Sequence, residues 1–170
     1  DGVLVVDGPV TIEDVGVVRR VTTDVESTVD VTFRTDATVM DVIDNIHLIN
    51  GDGELVYGGH RVSKLTINNR AVLSGEAVEL VEVNAGASSP SELLIGSSVK
   101  ELTVKRINGD VGLVVAAGNE PLTLHITEKQ ENAVAIHIAR DIVVESGGSN
   151  LVVLGEADHK ITVAHDVKEN

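Results

Sequence analysis

The second half of the chain alternates between short aliphatic segments and polar turn-forming segments. Four segments of similar form begin at Leu102, Leu122, Ile142 and Ile161, which are almost evenly spaced. Segments rich in Val, Ile, Leu and Thr favour extended backbone over helix. A second set of such segments lies between them, at 113–115, 134–136 and 151–153. The pattern therefore predicts two strands in each period of about 20 residues.

The segments between these strands consist of residues that favour tight turns. Asn108-Gly109-Asp110 and Gly118-Asn119-Glu120-Pro121 are two of them, and 130–132 and 146–150 are similar. A repeat of this length, made of strands and tight turns, is typical of a β-solenoid, in which each coil buries its apolar face by stacking on the next. Through its Leu-Thr-Val strands and Asn-Gly-Asp turns the chain resembles parallel β-helix proteins in general style. We therefore predict an all-β parallel β-helix, or β-solenoid.

The first half has similar segments at looser spacing. They begin at Val10, Val31, Ile46, Leu65 and Leu80, so the distance from one to the next is uneven. An antiparallel β-sandwich is the alternative fold for the chain, with 51–53 as the turn of a hairpin, and the choice between the two is open above all for residues 1–84. We expect one domain over residues 1–170, with a possible internal joint at 85–91.

The composition agrees with a narrow aliphatic interior. Phe33 and Tyr57 are the only aromatic residues, and there is no Trp. A two-layer globular core usually includes aromatic rings, because each ring buries a large area. Stacked coils need only Val, Ile, Leu and Ala in the centre.

Charge and cysteine content exclude several function classes. The formal net charge is -14, and the only adjacent basic pairs are Arg19-Arg20 and Lys105-Arg106. Nucleic-acid binding, which needs clustered Lys and Arg, is disfavoured, and so is an anionic membrane surface. No apolar run is long enough for membrane insertion. The absence of Cys excludes disulfides and thiol chemistry.

No motif predicts catalysis, so we expect no enzyme. None of the six His residues has metal-ligand spacing, and no Ser lies in a nucleophile elbow. His125 and His137 alternate with apolar residues and are expected to be solvent-facing strand residues; the alternative is a metal-binding or pH-sensitive ladder, which requires that stacking brings them into line. Asn50, Asp52 and Glu54 place oxygens at alternate positions, as a calcium site does. The loop lacks a terminal bidentate Glu, and turn propensity also explains it; no other cofactor is expected.

The N-terminal strand suggests how copies associate. Val3, Leu4, Val5 and Val6 form an apolar run within residues 1–9, between two Asp-Gly pairs. This assembly strand either pairs within its own domain or adds to the sheet edge of another copy.

From these features we predict a non-catalytic structural subunit that self-assembles into an extracellular fibre, sheath or surface layer by strand addition or end-to-end stacking. Its partners are other copies of itself. The alternative is an adhesin or polysaccharide-binding module that meets a glycan or host surface. The chain begins at Asp1 without Met, as in a processed secreted protein or an excised domain, and we expect a secreted or cell-surface location.

Overall fold

A computed structural model describes most of the chain, and every regular element in the described part is a β-strand. The described residues are 3–6, 10–12, 17–18, 20–23, 29–33, 36–39, 46–87, 91–128, 132–146, 151–155 and 158–164; side chains are described mainly from Val31 onward. Every strand pairing among these residues is parallel. The fold is therefore the predicted β-solenoid.

The strands form two long sheets and one short sheet. The nine-stranded sheet contains β2 (Val10–Ile12), β5 (Val29–Phe33), β7 (Ile46–Gly51), β9 (Arg61–Ile67), β11 (Ala77–Ala85), β13 (Glu101–Asn108), β15 (Leu122–Ile126), β17 (Ile142–Ser146) and β19 (Ile161–Ala164). The eight-stranded sheet contains β3 (Val17–Val18), β6 (Ala37–Val39), β8 (Leu55–Tyr57), β10 (Arg70–Leu73), β12 (Ser91–Ile95), β14 (Val111–Val115), β16 (Val134–Ile138) and β18 (Leu151–Gly155). The short sheet pairs β1 (Val3–Val6) with β4 (Arg20–Thr23).

The chain passes from one long sheet to the other in each coil, which excludes the sandwich alternative in the first half. The turn at 51–53 leads from β7 in the nine-stranded sheet to β8 in the eight-stranded sheet, so these strands form no hairpin. The length of a coil is not constant, because Ile46 pairs with Val62 whereas Val78 pairs with the more distant Leu102. The turns and strands that make up the coils differ in length, which explains the uneven spacing of the first half.

Inward side chains form aliphatic columns along the solenoid axis. Leu122, Ile142 and Ile161 are neighbours in one column, as their spacing predicts. Leu102 instead pairs with Leu124, so the even spacing of Leu102 and Leu122 does not give the register of these two strands. A two-residue shift keeps the same side chains facing inward, so the alternation alone could not reveal it.

Tight turns bring successive coils close together at glycine. A Cβ at Gly96 would lie 2.5 Å from the Leu73 carbonyl oxygen of the preceding coil. Gly109 has a φ of 81°, a conformation that L side chains rarely adopt. These two positions therefore require glycine for different reasons.

One buried cation connects three successive turns. Arg140 is 3% exposed and precedes β17. Its Nη1 donates to the carbonyl oxygens of Ser97 (3.1 Å) and Glu120 (3.3 Å). Its Nη2 donates to those of Gly96 (3.1 Å) and Val99 (2.7 Å). Burial lowers the pKa of the guanidinium, because the charged form loses water.

The segment suggested as a joint, 85–91, lies between β11 and β12, and its residues 88–90 are outside the described part. β11 pairs with both β9 and β13, and β12 pairs with both β10 and β14. The buried Ser91 hydroxyl donates to the Ile67 carbonyl of an earlier coil. Both long sheets therefore continue on either side of the segment.

Candidate assembly surfaces

The C-terminal end of the solenoid exposes residues of the core columns. Ile161 continues the column of Ile142, and Val163 continues the column of Val144. Ile142 and Val144 are 0% and 4% exposed, whereas Ile161 and Val163 are 42% and 53% exposed. The difference arises because no further strand among the described residues stacks on β19.

The backbone at this end also has a free edge. Within the described chain, β18 pairs only with β16, and β19 pairs only with β17. An edge strand presents N–H and C=O groups that another strand can pair with. The end therefore combines an apolar surface with a hydrogen-bonding edge, which are the two requirements of strand addition.

The proposed assembly strand lies at the other end of the chain. Val3, Leu4, Val5 and Val6 pair with residues 20–23 of the same chain, and the remainder of 1–9 lies outside the described residues. This is the arrangement expected if the strand stays with its own domain. Its exchange between copies stays a prediction, as does its role in assembly.

The residues of the suggested calcium turn take part in contacts between coils. Asn50 Oδ1 accepts a hydrogen bond from Asn68 Nδ2 at 3.3 Å. The Glu54 N–H donates to Asp36 Oδ1 at 2.9 Å, and Asp52 is exposed. The described residues contain no group of three or more His, Asp or Glu side chains that could hold a metal ion. Calcium binding by Asn50, Asp52 and Glu54 stays a prediction.

The two outward histidines lie on different sheets, so stacking of the coils does not bring them into line as a ladder. His125 is in the nine-stranded sheet and His137 is in the eight-stranded sheet. His125 Nδ1 lies 2.7 Å from Glu145 Oε2, and its Nε2 lies 3.3 Å from Glu101 Oε1. His125 thus bridges the coils on either side, whereas His137 has Val114 and Leu154 as strand neighbours.

Ion pairs connect adjacent coils along the outer face of the nine-stranded sheet and its adjoining turns. Lys100 Nζ lies 2.9 Å from Glu76 Oε1 and 3.3 Å from Glu120 Oε2. Hydrogen bonding to Lys100 lowers the pKa of Glu76, and hydrogen bonds to the two carboxylates raise the pKa of Lys100. Arg106 similarly lowers the pKa of Glu128, chiefly through a hydrogen bond. Because these groups are solvated, each pair contributes little to stability.

The outer face of the eight-stranded sheet is aliphatic. Val56, Val72, Leu94 and Val114 are partly exposed neighbours in one outward column. The column continues through His137 to Leu154. We call this surface the aliphatic face; it also includes the outward residues Arg70, Glu92, Gly112, Ala135 and Val152.

The aliphatic face is not among the features predicted from the sequence, although the strands carry a signal for it. A strand with one solvated face alternates apolar and polar residues, whereas one with two apolar faces reads as a continuous run. β18 reads Leu-Val-Val-Leu-Gly, and β14 reads Val-Gly-Leu-Val-Val. Such runs predict apolar residues on both sides of the sheet.

The described surfaces thus comprise an open end, a charged face and an aliphatic face, each built from successive coils. No helix in the described ranges has the length and apolar character needed to cross a membrane. Comparisons with protein-family models, curated proteins and solved structures find no match to this chain.

Proposed function

We propose that this protein is a non-catalytic structural subunit whose copies stack end to end into an extracellular fibre, sheath or surface layer. The C-terminal coil of one copy would pair in parallel with the N-terminal coil of the next. The observation that supports this is the exposure of Ile161 and Val163 at positions that are buried in the preceding coil.

The exposed core columns supply a driving force for stacking. Full burial of a Val or Ile side chain contributes about 1.5–3 kcal/mol. Ile161 and Val163 are about half exposed, so each would add roughly 1 kcal/mol on stacking. Pairing of the β19 backbone with a further strand would add to this by satisfying its free edge.

A charge placed in the exposed column tests the proposal. Val163→Asp puts a carboxylate where the next coil would stack, so it should abolish filaments. Thr162→Asp is the matched control, because Thr162 is exposed in the same strand but belongs to the outward column of Thr123 and Val143. It adds the same charge and should leave assembly largely intact.

The measurement is negative-stain electron microscopy and sedimentation of purified protein over a range of concentrations, with and without calcium. Filaments of the wild type and of Thr162→Asp, with none for Val163→Asp, would support end-to-end stacking. Monodisperse wild-type particles at high protein concentration under both conditions would contradict it. Equal assembly of the two variants would also contradict it.

A further inference from the structure

The aliphatic face is unusual for a solvated sheet because its outward positions are almost uncharged. In the strands of the eight-stranded sheet from β8 to β18, the described outward residues with a formal charge are Arg70 and Glu92. Arg70 Nε lies 3.1 Å from Glu92 Oε1, so the two charges compensate each other. Val152 and Leu154, at one end of the face, are 47% and 41% exposed.

We propose that the aliphatic face is a lateral interface at which two copies of this chain pack face to face. This inference goes beyond end-to-end stacking, since it concerns a side of the solenoid and not its ends. It requires no contribution from Ile161 or Val163.

The charge distribution favours a second copy on this face over any other side contact. The chain carries a net charge of -14, so two copies repel each other unless they meet at weakly charged surfaces. The outer face of the nine-stranded sheet carries many charges of both signs, such as Arg61, Glu79 and Glu101, whereas the described outward positions of the aliphatic face carry only Arg70 and Glu92. Contact between two aliphatic faces therefore removes the fewest charges from water.

The area of the face suits a weak dimer. Six strands from β8 to β18, at about 4.8 Å spacing, extend about 29 Å along the axis. With strands about 15 Å long, the projected area is about 430 Å² per copy, or about 860 Å² for two. That lies just below the roughly 1,000 Å² of a specific stable interface, so we expect a weak, concentration-dependent dimer.

The shape of the face suits packing between identical surfaces. The small residues Gly112 and Ala135 lie beside Val114 and His137 in a shallow groove of about 310 Å³, whose other side is polar and includes Arg70, Glu92 and Asp110. A two-fold axis that relates two copies would place the aliphatic column of one copy against that of the other. The larger side chains of each copy would then lie beside the groove of the other copy. Sheets packed in this way lie about 10 Å apart.

The experiment is carried out in the Val163→Asp background, so that end-to-end stacking cannot produce the dimer. Sedimentation equilibrium should give a concentration-dependent dimer. Leu94→Glu, at the centre of the face, should raise the dimer dissociation constant at least tenfold. Thr123→Glu is the matched control, since Thr123 has similar partial exposure on the outer side of the other sheet, and it should leave the constant unchanged.

Cross-linking gives a second readout that does not depend on a disruptive charge. The chain has no Cys, so a single introduced Cys can link only to its copy in a second chain. Val114→Cys should be cross-linked efficiently by a short bis-maleimide, and Thr103→Cys on the nine-stranded sheet should not. Circular dichroism checks that each variant is folded.

The outcomes are distinct. Dimers disrupted by Leu94→Glu and linked through residue 114 support the interface, whether or not the wild type forms filaments. A protein that stays monomeric at high concentration would overturn it. A dimer whose dissociation constant Leu94→Glu does not change would also overturn the proposal. Cross-linking at residue 114 that occurs only when another macromolecule is added would overturn it as well.

Discussion

Arg140 offers a direct test of how the coils are held together. Its guanidinium donates to four carbonyl oxygens in the turns at 96–99 and at 120, which belong to two preceding coils. Methionine at this position would keep much of the side-chain volume and remove every donor. We therefore expect Arg140→Met to loosen these turns without opening a large cavity.

The magnitude follows from the burial of the four acceptors. The bond to Val99 is buried, and loss of a partner for a buried carbonyl costs about 1–3 kcal/mol. The other three bonds are partly buried, so water can replace part of each and their loss costs roughly 0.5–1 kcal/mol apiece. The expected destabilisation is about 4 kcal/mol, a large share of the roughly 5–15 kcal/mol typical of a folded domain.

The hydrogen bonds of Arg140 stabilise the fold, whereas the burial of its charge destabilises it, so the measured stability shows which contribution is larger. Arg140 Nε is buried without a hydrogen-bond partner, and burial of the cation is itself unfavourable. Arg140→Lys keeps the charge but replaces the planar fork with one nitrogen that cannot serve both turns at once. It should therefore recover only part of the lost stability.

The assay combines urea unfolding, followed by circular dichroism, with hydrogen exchange. Because coils contact mainly their neighbours, exchange should accelerate at Val99 and Lys100 and remain unchanged in β7. An Arg140→Met protein as stable as the wild type, or more so, would refute the reasoning. It would show that desolvation of the guanidinium outweighs its bonds to the turns.

Three further predictions test the core, the ion pairs and the first strand. Leu124→Ala, in a fully buried column position, should cost about 2–5 kcal/mol in urea unfolding, whereas outward Thr123→Ala should change stability by less than about 0.5 kcal/mol. Lys100 lowers the pKa of Glu76 below 4.5, so this pair's small stabilisation is present above pH 4.5 and is lost as pH falls through the folded-state pKa. In an NMR titration Lys100→Met should return the Glu76 pKa toward 4.5, and an unmoved value would contradict this pairing. Deleting residues 1–8 should lower the melting temperature and expose the amides of β4, because β1 pairs with β4; an unchanged melting temperature would instead favour exchange of the strand.

The strands could be predicted from sequence because local chemistry determines them. The segments beginning at Val10, Val31, Ile46, Leu65 and Leu80 all lie in strands of the nine-stranded sheet, despite their uneven spacing. Stiff aliphatic residues set the strand positions, and Gly and Asn set the turns. The period then identified the solenoid, since stacking is how such strands bury their apolar sides.

The details missed from sequence depend on contacts between coils. The pairing of Leu102 with Leu124 depends on turn and strand lengths that alternation does not record. Arg140 acts on backbone carbonyls, which every residue carries, so no partner side chain in the sequence indicates its role. The ion pairs of Lys100 join it to one carboxylate in the coil before and one in the coil after, and comparison of polar residues one period apart would have found them.

The open end and the aliphatic face share a property that separates them from the rest of the described surface. Both present apolar side chains with few charges, on a chain whose net charge of -14 otherwise keeps copies apart. Salt screens that repulsion, with a Debye length of about 10 Å at about 0.1 M, but has much less effect on burial of apolar groups. Association through either surface should therefore strengthen as salt rises. Association through the ion pairs of the nine-stranded sheet would weaken, because salt screens attraction as well as repulsion. Sedimentation of the wild type, Val163→Asp and Leu94→Glu across a salt series distinguishes these cases. Weaker association at high salt would place the contacts on the charged outer face of the nine-stranded sheet instead.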